Sequence, residues 1–374
     1  MKLPVNGLGF VSGACKLDYW AGGAIVWRWL AFEHQSLERG DQDLSGISVD
    51  RVKQILARIR ECNIIVIGDA MLDRYVWGLV SRISPEAPVP IVEIQTENSR
   101  LGGAANVANN VRSLGAACRI VSVIGEDGFG GELESLMVSQ GIDTSGIVHD
   151  AGRPTTVKTR VIAHNQQVVR TDREVRDEIA GATEDRIIDA ALAGADACDA
   201  VIVSDYGKGV ITKRLLKELI PRVRGSDKII SVDPKENHFR NYRQVSLITP
   251  NQYEAGAAMG KRIHDEVSLH EVGWEIVDLL EVDSLLITRG EQGMSLFRKD
   301  RTYRHFPTVA RHVYDVTGAG DTVICSFTLA LCAGATMEEA AEIANHAAGV
   351  VIGDVGTATV TPEQLISSFA SEHL

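Results

Sequence analysis

Residues 315–322 read DVTGAGDT, and the apolar run VICSFTLALCAG follows. Gly318, Ala319 and Gly320 make a glycine-rich turn just ahead of that run. A turn of this kind at a helix start exposes backbone N–H groups, whose dipoles favour an anion together with the helix macrodipole. The acid that comes next, Asp321, would repel a static phosphate. It makes sense if its carboxylate faces an alcohol while the N–H groups face a transferring phosphoryl group. Asp321 would then accept the hydroxyl proton as the O–P bond forms. Gly318, Ala319 and Gly320 would stabilise the developing charge. The plain alternative is an aspartate capping a helix after a glycine turn, and the turn alone does not separate the two. A carboxylate at a helix start is expected to have a low pKa and to be a weak base. A loose phosphoryl-transfer transition state tolerates that. No GxxxxGK[ST] pattern occurs, which excludes a P-loop protein.

The elements that must position these residues are legible as alternation. NIIVIGD (63–69), CRIVSVIGED (118–127), DAVIVSDYGKG (199–209), KIISVDPK (228–235), SLITPN (246–251) and SLLITRGEQG (284–293) are short apolar runs ending in polar residues or glycine. Each reads as a strand buried on both faces. Helical stretches such as EDRIIDAALAG (184–194) and ITKRLLKELI (211–220) lie between most of them. Val52, Ile55, Leu56 and Ile59 have helical spacing ahead of the first run. The fold class is therefore α/β, a central mostly parallel sheet with helices on both faces. Chemistry is expected outside the carboxyl ends of its strands. Residues 88–103 and 155–173 break the alternation and look extended. They could form a small antiparallel sheet, read either as surface hairpins or as a lid. The first strand leads into GDAMLD and not GxGxxG, which excludes a Rossmann dehydrogenase.

Composition narrows the partners. The 374 residues carry a formal net charge of -12 and no basic block, which argues against nucleic acid. The six cysteines, Cys15 to Cys332, form no CxxC pair, so neither zinc nor a disulfide framework is expected, and a reducing cytoplasm fits. His164, His238 and His346 show no metal-ligand spacing and read as structural. Residues 19–32 are apolar and tryptophan-rich, but too short for a ~20-residue membrane span and interrupted by Arg28. They and the polar stretch 38–48 are expected to form an N-terminal extension and linker, residues 1–50, ahead of a domain covering 51–374.

Three separated motifs occur in order: LGGAANVANNV (101–111), Asn251-Gln252-Tyr253-Glu254, and DVTGAGDT. Together they resemble the ribokinase-like, or PfkB, family of carbohydrate kinases, from about Asn63 to Glu363. GDAMLDRYVWGLVSRISPEAPVPIVE (68–93), NQQVVRTD (165–172), SDYGKG (204–209), DPK (233–235), TRGEQGMSLF (288–297) and ANHAAGVVIGDVGTATV (344–360) resemble the heptose 7-phosphate kinases within it. The sequence ends with TVTPEQLISSFASEHL, with no second domain after it, so the stand-alone kinase form is expected.

The resemblance implies a ribokinase-like fold with a small β-sheet lid, its strands near 75–100 and 155–172. It implies Asp321 as the base and the Gly318–Gly320 turn as the anion hole. Asp73, on the loop after the first strand, would bind sugar hydroxyls. Gly102 and Gly103 would let backbone approach the sugar, and Asn106 would bond a hydroxyl. Asn251 and Glu254 would organise Mg²⁺ and the phosphates, Glu254 through water. Thr288, Arg289 and Gly290 would line the ATP phosphate and ribose region, with Asn345 beside the adenine. Lys158, Arg160 and Lys208, with Arg170 nearby, are the candidate cations for the substrate's own phosphate. The implied cofactors are ATP and Mg²⁺, with a monovalent cation left open, and the implied partner is a sugar phosphate in a homodimeric enzyme. The implied reaction phosphorylates the C1 hydroxyl of D-glycero-D-manno-heptose 7-phosphate on the route to nucleotide-activated heptose. A kinase for another sugar and a non-catalytic sugar-binding protein are the alternatives.

Overall fold

The computed structural model describes residues 46–164, 166–310, 315–353 and 356–372. The apolar segment 19–32, most of the polar linker and Cys15 lie outside the described residues, as do Asn165 and Asp354-Val355 of the quoted segments. Helix α1 (Val49–Ile59) is capped by Ser48, whose side chain accepts from the Arg51 N–H. Val52, Ile55, Leu56 and Ile59, one per helical turn or less, form its buried face. Ile47 is also buried, and its N–H donates to Glu342.

After α1 come β1 (Asn63–Gly68), β2 (Ala70–Ile83), β3 (Pro90–Gly103), α2 (Ala104–Ser113), β4 (Ala117–Gly125), α3 (Gly128–Ser139) and β5 (Asp143–Asp150). Next are β6 (Val157–Ala163), β7 (Gln166–Arg173), α4 (Gly181–Ala197), β8 (Ala200–Ser204), α5 (Lys213–Arg224), β9 (Ile229–Asp233) and β10 (Leu247–Ile248). The chain continues through α6 (Gln252–Ala258), α7 (Glu266–Leu280), β11 (Ser284–Thr288), β12 (Met294–Arg298), β13 (Tyr303–Phe306), α8 (Ala319–Cys332), α9 (Met337–Val351) and α10 (Pro362–Glu372).

The main sheet has nine strands in the order β13-β12-β11-β10-β9-β8-β1-β4-β5, parallel except that β12 pairs antiparallel with both β11 and β13. In β1 the side chains alternate between two cores. Ile64 and Val66 pack with the buried faces of α1, α2, α8 and α9, while Ile65 and Ile67 pack with those of α4, α5 and α7. A strand's two-residue period sends neighbours to opposite faces, so burial of both demands an unbroken apolar run. β1 lies between β4 and β8, where the chain order reverses. This is the topological switch point, and its carboxyl end opens a crevice.

The lid is a second sheet, ordered β3-β2-β6-β7. It is mixed and not purely antiparallel, because β2 and β6 run parallel. The chain leaves for the main sheet between them, through β4 and β5. β2, 14 residues long, starts at Ala70, ahead of the lid strands expected from about residue 75.

Candidate active site

Asp321 sits in the first turn of α8, buried. Its two oxygens are each met by a donor from a different part of the chain. Asn106 Nδ2, on α2, donates to Oδ2 at 2.7 Å. Tyr206 Oη, in the loop after β8, donates to Oδ1 at 2.6 Å. Burial pushes the carboxyl up to about 6, and the nearby charge of Asp73 adds to the rise, while the bonds from Asn106 and Tyr206 oppose it. The expectation of a low pKa at a helix start is overturned, because loss of water outweighs the favourable helix terminus. A carboxylate poised there can take a proton from an alcohol near neutral pH.

The turn ahead of Asp321 needs glycine at its first position. Gly318 is the N-cap, with φ 83° in the left-handed region, and a Cβ there would lie 2.8 Å from Asn106 Nδ2. The Ala319 N–H is donated to Val316 O, so it is not available to an anion. The N–H groups of Gly320 and Asp321 have no backbone acceptor among the described residues. A Cβ on Gly320 would meet nothing within 4 Å.

On the lid side, Asp73 lies within β2 and not on a loop. It pairs with Lys158 across the β2–β6 ladder, and its Oδ1 accepts from Arg160 Nη1 at 2.6 Å. Gly102 stands at the far end of β3, where a Cβ would lie 2.6 Å from Asp73 Oδ2. Gly103 ends the strand and serves as N-cap of α2. Arg160 and Arg100 both lie over the ring of Tyr75, at 5.2 and 5.5 Å. The buried Tyr75 hydroxyl has no hydrogen-bond partner among the described residues.

Lys158, Lys208 and Arg170 come together, but none stands unopposed. Lys208 Nζ lies 2.8 Å from Glu174, Lys158 Nζ 3.6 Å from Glu174 and 3.4 Å from Asp172, and Arg170 Nε 2.9 Å from Asp172. Arg176 also pairs with Glu174, at 2.9 Å. Although burial alone would raise it, Glu174 is drawn down to about 2, chiefly by hydrogen bonds from Lys208 and Arg176. Four cations against two carboxylates leave this corner positive. Arg160, paired with Asp73, stands opposite Arg170 across the β6–β7 ladder.

The strand ends β9, β10 and β11 build the other side. Asn251 caps α6 with a reciprocal capping box: its Oδ1 accepts from Tyr253 and Glu254 N–H groups, and Glu254 Oε2 accepts from the Asn251 N–H. Glu254 Oε1 pairs with Lys235 Nζ at 2.9 Å. Thr288 is bridged to Asn251, and Gly290 is exposed beyond it. Asp233 at the end of β9 is pushed well above the carboxylate range by burial and by the charges of Asp321 and Glu254, which ties the two halves electrostatically. Among the described residues, no three His, Cys, Asp or Glu side chains converge as a metal cage.

Three expected ligand contacts are already engaged within the protein. Asn106 Nδ2 donates to Asp321, while its buried Oδ1 has no hydrogen-bond partner among the described residues. The Arg289 guanidinium is buried and bonded to Glu266 at 2.6 Å and Gln292 at 2.8 Å. Asn345 donates to Pro307 O at 2.7 Å from α9. Sequence reasoning missed Tyr206, Lys235, Tyr75 and Asp69. Tyr206 and Lys235 lie in the quoted SDYGKG and DPK segments, yet nothing local marks which carboxylate each would meet.

A family model described as pfkB family carbohydrate kinase matches residues 62–364. A protein named Bifunctional protein HldE from Geobacter sulfurreducens is 46% identical over 322 residues, covering 86% of this chain and 66% of that protein. One of the same name from Desulfatibacillum aliphaticivorans is 44% identical over 304 residues, covering 81% and 62%. The chain thus spans a little under two thirds of the length of these relatives. Ribokinase of Arabidopsis thaliana complexed with ribose and ATP superposes with a TM-score of 0.66 at 18% identity, over 82% of this chain and 98% of that one. Phosphofructokinase-2 of Escherichia coli in complex with substrates and products gives 0.70 at 17% identity, over 84% and 100%. The fold is ribokinase-like.

Proposed function

Because this chain belongs to the pfkB family of carbohydrate kinases, we propose that it transfers the γ-phosphoryl group of ATP to the C1 hydroxyl of D-glycero-D-manno-heptose 7-phosphate. The 1,7-bisphosphate so formed would feed nucleotide-activated heptose for lipopolysaccharide or other surface glycans. The observation that carries the reading is Asp321: a buried carboxylate with a proton affinity near neutrality, at a glycine turn, between a lid-side and a strand-end half-site. The heptose phosphate is supported by the quoted heptose-kinase segments and by the positive corner at Lys158, Lys208, Arg170 and Arg176.

In this mechanism Asp73 and the backbone at Gly102 and Gly103 hold the sugar, with its phosphate toward the lysines. The lid covers the pair and keeps water from ATP. The C1 hydroxyl gives its proton to Asp321. Its oxygen bonds to the γ-phosphorus as the bond to the bridging oxygen breaks and ADP leaves. The free N–H groups of Gly320 and Asp321 face the charge that develops, and Lys235 adds a cation at the strand-end half-site. Glu254, whose oxygens already hold Lys235 and the Asn251 N–H, fits a Mg²⁺ ion bound through its water shell and not directly. Such an ion would neutralise phosphate charge. Thr288 and Gly290 border the nucleotide, and a monovalent cation stays open.

We further propose a cytoplasmic homodimer formed by the lids, since Leu79, Ile83, Ile94 and Val169 on the lid strands are exposed apolar residues. No helix among the described residues is long and apolar enough to cross a membrane. The kinase domain would take in residues 51–374, with 1–50 an extension of no assigned role.

The test is ATP turnover on heptose 7-phosphate, fructose 6-phosphate, fructose 1-phosphate, ribose and adenosine with Mg²⁺. Strong preference for heptose 7-phosphate supports the proposal. Preference for another sugar overturns the substrate and keeps the kinase. No turnover on any of them favours a binding protein.

A further inference from the structure

We propose that Tyr206 is a positioning residue for the transfer: its phenol holds the carboxylate of Asp321 in the orientation from which it receives the acceptor hydroxyl's proton. This rests on the reading of Asp321 as the base.

The geometry is specific. The Tyr206 hydroxyl donates to Oδ1 at 2.6 Å, while Asn106 donates to Oδ2 at 2.7 Å. Two donors on different elements fix the plane of a carboxylate in a way that neither could alone. The phenol remains a donor throughout, because burial and the carboxylates of Asp321, Asp233 and Asp73 push it well above its ordinary range.

The loop that carries Tyr206 is itself pegged from inside. Asp69, buried at the end of β1, accepts from the N–H groups of Tyr206 at 2.8 Å, Lys208 at 3.0 Å and Val210 at 3.0 Å. Asp205 accepts from the Gly207 N–H at 2.7 Å and from His238 and Tyr242. Burying two carboxylates under one loop is unfavourable unless they are fully bonded. Here they are bonded, and the result is a rigid loop whose tyrosine reaches the neighbouring motif. A tyrosine needed only for bulk would not require its hydroxyl to meet a buried acid.

The ionisable groups facing Asp321 are Asp73 from β2, Tyr206 from the loop after β8, Asp233 from the end of β9, and Cys325 one turn along α8. Of these, only Tyr206 donates a hydrogen bond to it. Its loss should make the carboxylate harder to ionise.

The experiment compares Tyr206→Phe, 3-fluorotyrosine incorporated at the same position, and Asp321→Asn, each as the full chain. Steady-state rates are measured against pH with ATP and the sugar preferred by the wild type. In Tyr206→Phe the acidic limb of kcat should move up by about half a pH unit or more. The plateau should fall ~10-fold or more with the ATP KM within about twofold. Fluorotyrosine, a more acidic donor, should move the limb down. An unmoved limb in both variants overturns the proposal, whether or not kcat falls, since loss of packing alone would not shift it. If Tyr206→Phe does not fold, fluorotyrosine decides by the direction of its shift. Retained turnover in Asp321→Asn would instead defeat the base reading, independently of Tyr206.

Discussion

The side-chain amide of Asn106 donates to Oδ2 of Asp321 at 2.7 Å, across a sequence separation of 215 residues. The bond joins the two glycine motifs of the chain and keeps the acid in place behind its turn.

Asp321 is then expected to trade stability for activity. Its folded pKa of about 6 exceeds the ordinary aspartate value. A group raised in this way contributes stability that is full below about pH 4 and is lost as pH rises through 6, by about 3 kcal/mol in all. Asp321→Asn should therefore melt higher than wild type at pH 8, with the difference vanishing near pH 4. The same variant should lose ~10³-fold or more in kcat with ATP affinity nearly unchanged. Thermal melts at the two pH values and steady-state kinetics check both halves. A variant that is no more stable at pH 8 would mean that the buried charge is better solvated than its surroundings suggest.

Asp73 and Arg160 are expected to behave as a unit. Arg160 Nη1 and Asp73 Oδ1 are 2.6 Å apart and nearly inaccessible. Arg160→Met strands a buried carboxylate and should cost roughly 3 kcal/mol. Asp73→Asn together with Arg160→Met should recover much of that loss. Chemical denaturation of the two single variants and the double variant measures the coupling. Additive losses would show that the pair is not a unit.

Gly318 and Gly320 should respond differently to alanine. At Gly318 the backbone is left-handed and the new Cβ would press on the Asn106 amide. Gly318→Ala should lose about 1–2 kcal/mol from the backbone alone, and kcat should fall further as Asn106 is pushed from Asp321. At Gly320 the Cβ meets nothing within 4 Å, so stability should stay within about 0.5 kcal/mol while ATP turnover suffers. Equal effects at both positions would count against the turn as an anion hole.

The lid dimer is open to light scattering. Wild type should have twice the chain mass at micromolar concentration, and Ile83→Lys with Ile94→Lys should have the mass of one chain. Ile83 and Ile94 are 60% and 58% exposed, so the substitutions should leave the fold intact. A wild-type monomer under those conditions would remove the proposal.

Much of the fold was legible because its signals are local. Val52, Ile55, Leu56 and Ile59 mark a helix face within eleven residues, IIVIG marks a strand buried on both sides, and Asn251 with Glu254 marks a helix start within four. The glycine turn before Asp321 is likewise readable, since a left-handed position beside a crowded amide leaves glycine as the residue that fits. Pairing across the chain was not readable. β2 meets β6 in parallel only because the chain visits the main sheet between them. The bonds of Arg289 to Glu266 and of Asn345 to Pro307 were not readable either, because those partners come within reach only in three dimensions.

The residue types at 315–322 and the alternation of strands and helices by themselves determined that a carboxylate would stand at a helix start on the carboxyl edge of a parallel sheet. Only the tertiary structure decided how strongly that carboxylate holds a proton. That depends on how much water the surrounding elements exclude and on which distant donors, Asn106 and Tyr206, replace it. Both are sums over neighbours that the order of residues along the chain does not display.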